Sequence, residues 1–220
     1  RGRTVVEQTL SNGGERWLFR MAADGAGIEA VVIGPDLACY DVVFPPSAAL
    51  NPEFFRKKWS RPAAAAEVLN LPAGRLQVQL QPRFVTLRKA DQLSVVGAED
   101  GQTAAEIPLS ADWQDRAAAV EFAYLRTGGG GLAAALKTKA AATPGEPVRI
   151  ILAGLGTDGQ EKWKTEWKEP AGPARICALP DGSDRDLLLV ELWNRLLFLN
   201  AAGQTLLEQP LGATGDPLLL

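Results

Sequence analysis

The chain has no histidine in its 220 residues. That removes the commonest general base, the commonest metal ligand and the imidazole partner of serine and cysteine nucleophiles. Cysteine is almost as scarce. Cys39 and Cys177 are the only two, too few to hold zinc by themselves. Whether they pair across the chain or remain buried thiols is open at this level. No apolar run reaches the ~18 residues a membrane-spanning helix needs, so no transmembrane segment is expected. Positive charge is not in excess: 23 Lys and Arg stand against 26 Asp and Glu, a net charge of −3. That balance argues against a general nucleic-acid binder. No signal peptide is recognisable. The sequence begins at Arg1 without Met and stops in "GDPLLL", which reads as a piece of a longer protein.

What is present is apolar content at 46%, enough for a sizeable core. The length suits one large domain or two small ones, and a single domain over 1–220 is expected. The densest basic group, "FRKKWSR" at Phe55–Arg61, reads as a solvated loop or as charge protecting an edge strand.

Strand signals dominate. "RLQVQLQ" and "RFVTLRK" alternate apolar and polar residues, the period of a half-buried strand. "QLSVV", "AVEFAYL", "VRIILAG", "RDLLLVEL" and "RLLFLN" are short apolar runs bounded by Gly, Pro, Asp or Asn. Asn194 and Arg195 break the Leu-rich run where a hairpin turn would fall. Two stretches lean helical. "PAAAAEVLN" (Pro62–Asn70) opens with Pro at a first helical position. "GLAAALKTKAAA" (Gly131–Ala142) is Ala-rich, with a strand pair as its alternative.

A Gly-centred turn followed by a polar or aromatic strand recurs at Gly14, Gly101, Gly159 and Gly203, spaced by 87, 58 and 44 residues. The first gap is nearly twice the last, so a degenerate copy is expected near "FFRKKWSRP". A period of about 40–50 residues built of short strands is the signature of a β-propeller. One four-stranded blade exposes both faces, and stacking blades buries them. The turn glycine supplies a positive φ, and a Trp after it can pack between blades while its N–H finds an acceptor. The expected fold is all-β: a propeller-like array of about five short antiparallel four-stranded blades. A β-sandwich is the alternative.

"LLLVELWNRLLFLNAAGQTLLEQPL" and "VRIILAGLGTDGQEKW" resemble blades of the quinoprotein-like (PQQ-like) and related β-propeller families. The resemblance is best over Val148–Leu220. It implies fold and not catalysis. The adjacent cysteine pair and calcium-binding carboxylates of the quinone enzymes have no counterpart here, so no cofactor is expected. "RWLFRMAADGAGIEAVVI" (Arg16–Ile33) is similar to a segment of radical-SAM ribosomal RNA methyltransferases. Only Cys39 follows it where an iron–sulfur motif needs three cysteines, so it reads as two strands joined by a turn.

Candidate sites are few. "PDGSDRDLLLV" sets Asp181, Asp184 and Asp186 before a strand. Such a loop can offer hard oxygen ligands to calcium, and it resembles the calcium loop of FG-GAP-type repeats. A solvated turn competes with that reading. "TGGGG" and "GLGTDG" lack the spacing of a phosphate cradle. Among six tryptophans, Trp163, Trp167 and Trp193 are the interaction candidates. Trp163 and Trp167 share one face of a strand, suited to a neighbouring blade, a sugar or a peptide. The expected role is a non-catalytic scaffold or protein-interaction module with a protein partner. The alternative is an extracytoplasmic carbohydrate-binding or carboxylate-based hydrolytic domain using a pair such as Asp181 and Glu191. An extracytoplasmic setting is favoured.

Overall fold

The computed structural model describes residues 7–8, 16–22, 27–33, 36–42, 55–62, 77–80, 83–88, 91–114, 119–139, 143, 146–170, 172, 174–180 and 185–211. They are all-β apart from one short helix, α1 (Ala111–Gln114). Four antiparallel sheets follow one another along the chain, each a simple meander in sequence order. Blade 1 holds β1 (Glu7–Gln8), β2 (Arg16–Met21), β3 (Ile28–Ile33), β4 (Asp36–Val42) and β5 (Phe55–Pro62). Blade 2 holds β6 (Gln77–Leu80), β7 (Phe84–Arg88), β8 (Gln92–Gly97) and β9 (Thr103–Pro108). Blade 3 holds β10 (Ala119–Arg126), β11 (Gly131–Lys139), β12 (Val148–Leu155) and β13 (Glu161–Glu169). Blade 4 holds β14 (Arg175–Pro180), β15 (Asp186–Leu192), β16 (Arg195–Leu199) and β17 (Thr205–Pro210). This is the blade architecture of a β-propeller, with four blades among the described residues.

Two expectations change. A 45-residue period gives about five blades, but the long stretches on either side of β5 stretch the repeat. The described part of "FFRKKWSRP", from Phe55, is therefore the outer strand of blade 1 and not a separate unit. Its basic side chains line an exposed edge, as edge protection requires. The Ala-rich stretch from Gly131 forms strand β11, not a helix. Ala133, Ala134 and Ala135 are fully buried there between the registers of β10 and β12. Small side chains permit close blade packing, and that burial overrides helix propensity. The helical reading of Pro62–Asn70 falls, beyond Pro62, outside the described residues. "RWLFRM" and "IEAVVI" are paired strands β2 and β3.

The chain divides into two compact units, chiefly Arg1–Leu87 with Val96–Ala104, and Arg88–Val95 with Ala105–Leu218. In the first, one face of blade 1 (Val31, Ile33, Leu37, Cys39, Trp59) shares a core with Val85, Leu87, Val96 and Ala98 of blade 2. In the second, Leu125, Leu136, Ile150 and Leu152 of blade 3 meet Ile176, Leu188, Val190 and Leu197 of blade 4. The period-2 alternation sends each strand's other side chains to the opposite face. There Phe122 lies under the Arg88 guanidinium, 5.7 Å from the ring centre. Lys137 Nζ donates to the Asp112 carbonyl at 2.6 Å.

The recurrent glycines are the hinges of this stacking. Gly101, Gly159 and Gly203 have φ of 71°, 75° and 76°; Gly14 lies outside the described residues. Each turn is closed by a side-chain oxygen. Gln102 N donates to Asp100, Gln160 N to Asp158 and Gln204 N to Asn200, at 2.9, 3.0 and 3.0 Å. The outer strand of the preceding blade then lies on the glycine. A Cβ added at Gly101 would stand 2.6 Å from the Trp59 ring, one at Gly203 2.6 Å from the Trp163 ring, and one at Gly159 2.3 Å from the Pro108 carbonyl oxygen. Trp59 Nε1 donates to the Ala98 carbonyl at 2.9 Å, and Trp163 Nε1 to that of Ala201 at 2.8 Å. Trp59 and Trp163 each stand beside an irregularity in the ladder, opposite Cys39 and Gly154.

Candidate functional site

The sequence-derived residues separate in the structure. Asp181 and Asp184 lie outside the described residues. Asp186 opens β15, is buried, and its Oδ2 accepts the backbone N–H of Arg126 at 2.8 Å. That bond ties the end of β10 to blade 4, beside the Thr127–Arg185 bridge. Among the described residues no group of three or more acidic or cysteine side chains is placed to hold a metal ion. Cys39 and Cys177 are not joined in a disulfide. Trp163 and Trp167 are half-buried against the core between blades 3 and 4. Trp193 is different. It is 48% exposed in the turn between β15 and β16, and its ring covers Gly172, where a Cβ would stand 2.1 Å away.

Around that turn the strand ends of blades 3 and 4 gather charge. Glu191 ends the apolar run of β15, two residues before Trp193, and faces Arg175 across the β14 ladder. Glu191 is only 2% exposed, and its Oε2 meets no hydrogen-bond partner among the described residues. Glu121, from β10, reaches across to blade 4, where its Oε2 accepts the Ile176 N–H at 3.2 Å. Burial pushes the Glu121 carboxyl above its ordinary range. The nearby Glu191 carboxylate adds to that, while the Ile176 N–H and Arg175 oppose it. Burial also raises Glu191, against the pull of Arg175. On the outer side, the Arg195 guanidinium bridges Glu169 and Glu208, the latter at 3.0 Å. The exposed Trp193 thus falls in the chain between Glu191, whose carboxyl burial raises, and Arg195 of the ionic network. Such a grouping of perturbed acids marks candidate sites of function.

Only part of this could be found in the sequence. In the sequence Glu191 is a candidate carboxylate in a pair with Asp181. Glu121 sits inside the apolar run "AVEFAYL" and carries no motif. Arg175 carries no signal, because its role comes from the β14–β15 register alone.

The carboxyl pair sets a pH dependence. Both acids have an ordinary value of 4.5 and a higher one in the folded chain. The folded state therefore holds more protons than the unfolded state between 4.5 and the raised values. Stability gained from this pair appears as pH falls through the raised values and levels off below about 4.5. Chemical denaturation of the native chain and of Glu121→Gln/Glu191→Gln should show it. The variant should be the more stable at neutral pH, with the difference closing towards pH 4.5. A constant difference across that range would remove the assignment.

No known protein family matches the chain, and no curated protein matches it. Among solved structures it is similar to a protein of unknown function from Bacteroides caccae, with a TM-score of 0.35, 12% identity, and coverage of 96% of this chain and 59% of the other. The chain thus spans 59% of that structure's length. A second similar structure is KlHsv2 with loop 6CD replaced by a Gly-Ser linker, at TM-score 0.25 and 11% identity, covering 89% of this chain and 81% of that one. The fold rests on the sheets themselves.

Proposed function

We propose that the chain is a non-catalytic scaffold or protein-interaction module, and that the Trp193 end of blade 4 is its recognition surface. The observation that carries this is the exposed Trp193 ring, seated on Gly172 in the turn that leads into Arg195. Trp and Arg are the residue types that dominate binding energy at protein interfaces. A ring already immobilised by packing loses little entropy when a partner covers it. The test compares quantitative affinity captures by the native chain and by Trp193→Ala, whose exposed site leaves the blade cores intact. A protein partner captured at least about tenfold less by the variant, a loss of about 1.4 kcal/mol, supports the reading. Identical capture profiles would overturn it.

The carboxyl pair favours a second reading. Burial raises the Glu121 and Glu191 carboxyls above their ordinary range, as a carbohydrate-binding or hydrolytic site would require. Glycan-array binding that is lost in Trp193→Ala, with turnover lost in Glu191→Gln, would select this reading over the first.

A further inference from the structure

Among the described residues, each blade ends in an outer strand whose far edge has no strand beside it in its own sheet. Such edges recruit other chains unless charge or shape prevents it. Strand β5 carries Arg56, Lys57, Lys58 and Arg61. Strand β13 carries Lys162, Lys164 and Lys168 together with three glutamates. Strand β9 shows no exposed large apolar residue, and its Thr103 hydroxyl accepts from Arg61 at 2.8 Å. Strand β17 lacks the basic side chains of β5 and β13; it has Glu208, a ladder irregularity at Leu206 and a closing Pro210. All six of its residues are exposed, with Leu206 at 58% and Leu207 at 54%. Its one charge, Glu208, is paired with Arg195 at 3.0 Å.

We propose that β17 pairs edge to edge with β17 of a second copy of this chain, antiparallel about a two-fold axis. The occupant is argued from the strand's own order of residues. Pairing centred on Leu207 sets Leu206 of each copy opposite Glu208 of the other, and Thr205 opposite Gln209. No like charges meet, which is the condition a self-pairing strand must satisfy. The apolar row Cys177–Leu189–Phe198–Leu207 runs across blade 4 in register. A second copy continues it as its mirror sequence, from Leu207 back to Cys177. The ladder supplies main-chain hydrogen bonds and the leucines supply burial, as in strand addition generally.

Light scattering coupled to gel filtration on the full chain tests this over a dilution series. The expected result is twice the chain mass, with Leu206→Lys/Leu207→Lys raising the dissociation constant more than about tenfold. Both side chains lie in solvent, so circular dichroism should be unchanged. Thr205→Lys, which spares the leucines, should weaken association in the same direction. Amide exchange read by peptide should show protection of β17 in the native chain and its loss in the double variant. A chain that stays monomeric at every concentration overturns the proposal. So does a dimer that the lysines leave intact, or one whose β17 amides exchange freely.

Discussion

Trp163→Ala should cost about 2–4 kcal/mol of unfolding free energy, near the lower part of the range for removing a large aromatic from a packed site. The indole is half-buried, so part of its surface is already in water. What it loses is specific: contact with the core between blades 3 and 4, the bond to the Ala201 carbonyl at 2.8 Å, and the seat over Gly203. Gly203→Ala attacks the same contact from the other side. A Cβ at φ 76° is strained by about 1–2 kcal/mol on conformational grounds alone. It would also stand 2.6 Å from the Trp163 ring, a distance that displaces the indole. Urea unfolding of the two single variants and the double should therefore be non-additive. Once Trp163 is gone, Gly203→Ala costs only its backbone strain. If the two effects add within about 0.3–0.5 kcal/mol, ring and glycine are energetically independent and the inter-blade contact is incidental.

The same register explains why one blade looks different from the others. Trp59 and Trp163 stand just past a ladder irregularity in β5 and β13, and Leu207 occupies that position in β17, opposite Phe198. Blades 1 and 3 use the position to hold the turn of the blade that follows them in sequence. In blade 4 the residue there is exposed.

The glycine turns made this fold legible. Glycine-Gln after an apolar strand is a local signal with a backbone cause, and the three turns that carry it, at Gly101, Gly159 and Gly203, have the positive φ it implies. Tryptophan after the turn, with an acceptor for its N–H, was legible for the same reason at Trp163. Blade number was not. It depends on how much chain lies between strands, and the stretches around β5 have no period. The Ala-rich strand was ambiguous because alanine's helix propensity is a property of the isolated segment, while its burial in β11 comes from two flanking strands. Of the carboxyl pair only Glu191 was legible, as a carboxylate near aromatic residues, and its meeting with Glu121 depends on strands from two blades, which no spacing in the sequence encodes.

Glu29→Gln should be the most damaging single change of charge in the molecule, at about 3–5 kcal/mol, the cost of stripping one partner from a buried pair. Glu29 is 2% exposed on β3. It lies in a row across blade 1 with Arg20 on β2, Asp41 on β4 and Arg56 on β5. Its Oε2 takes the buried Arg20 guanidinium, and its Oε1 takes Lys58 Nζ at 2.6 Å. Lys58 lies 3.9 Å from Asp41, and Arg56 reaches Asp41 at 2.8 Å. Without the Glu29 charge, two cations point at an uncharged amide. Lys58 is 25% exposed in its side chain and can turn to water; Arg20, at 4%, cannot. The buried guanidinium, stripped of its Glu29 partner, therefore sets the cost. Arg20→Met/Glu29→Leu removes both buried charges and should recover most of the loss, because apolar replacements of similar volume avoid desolvation altogether. The thiol of Cys39 gives a second reading of the same change. Burial first, and then the Glu29 charge, hold it at about 11. Neutralising Glu29 should bring it down, measured as thiolate absorbance against pH under native conditions. A single variant costing less than about 1 kcal/mol would place Glu29 among the surface ion pairs and not the buried ones. A double variant no more stable than the single would show that the row is held by shape and not by the balance of its charges.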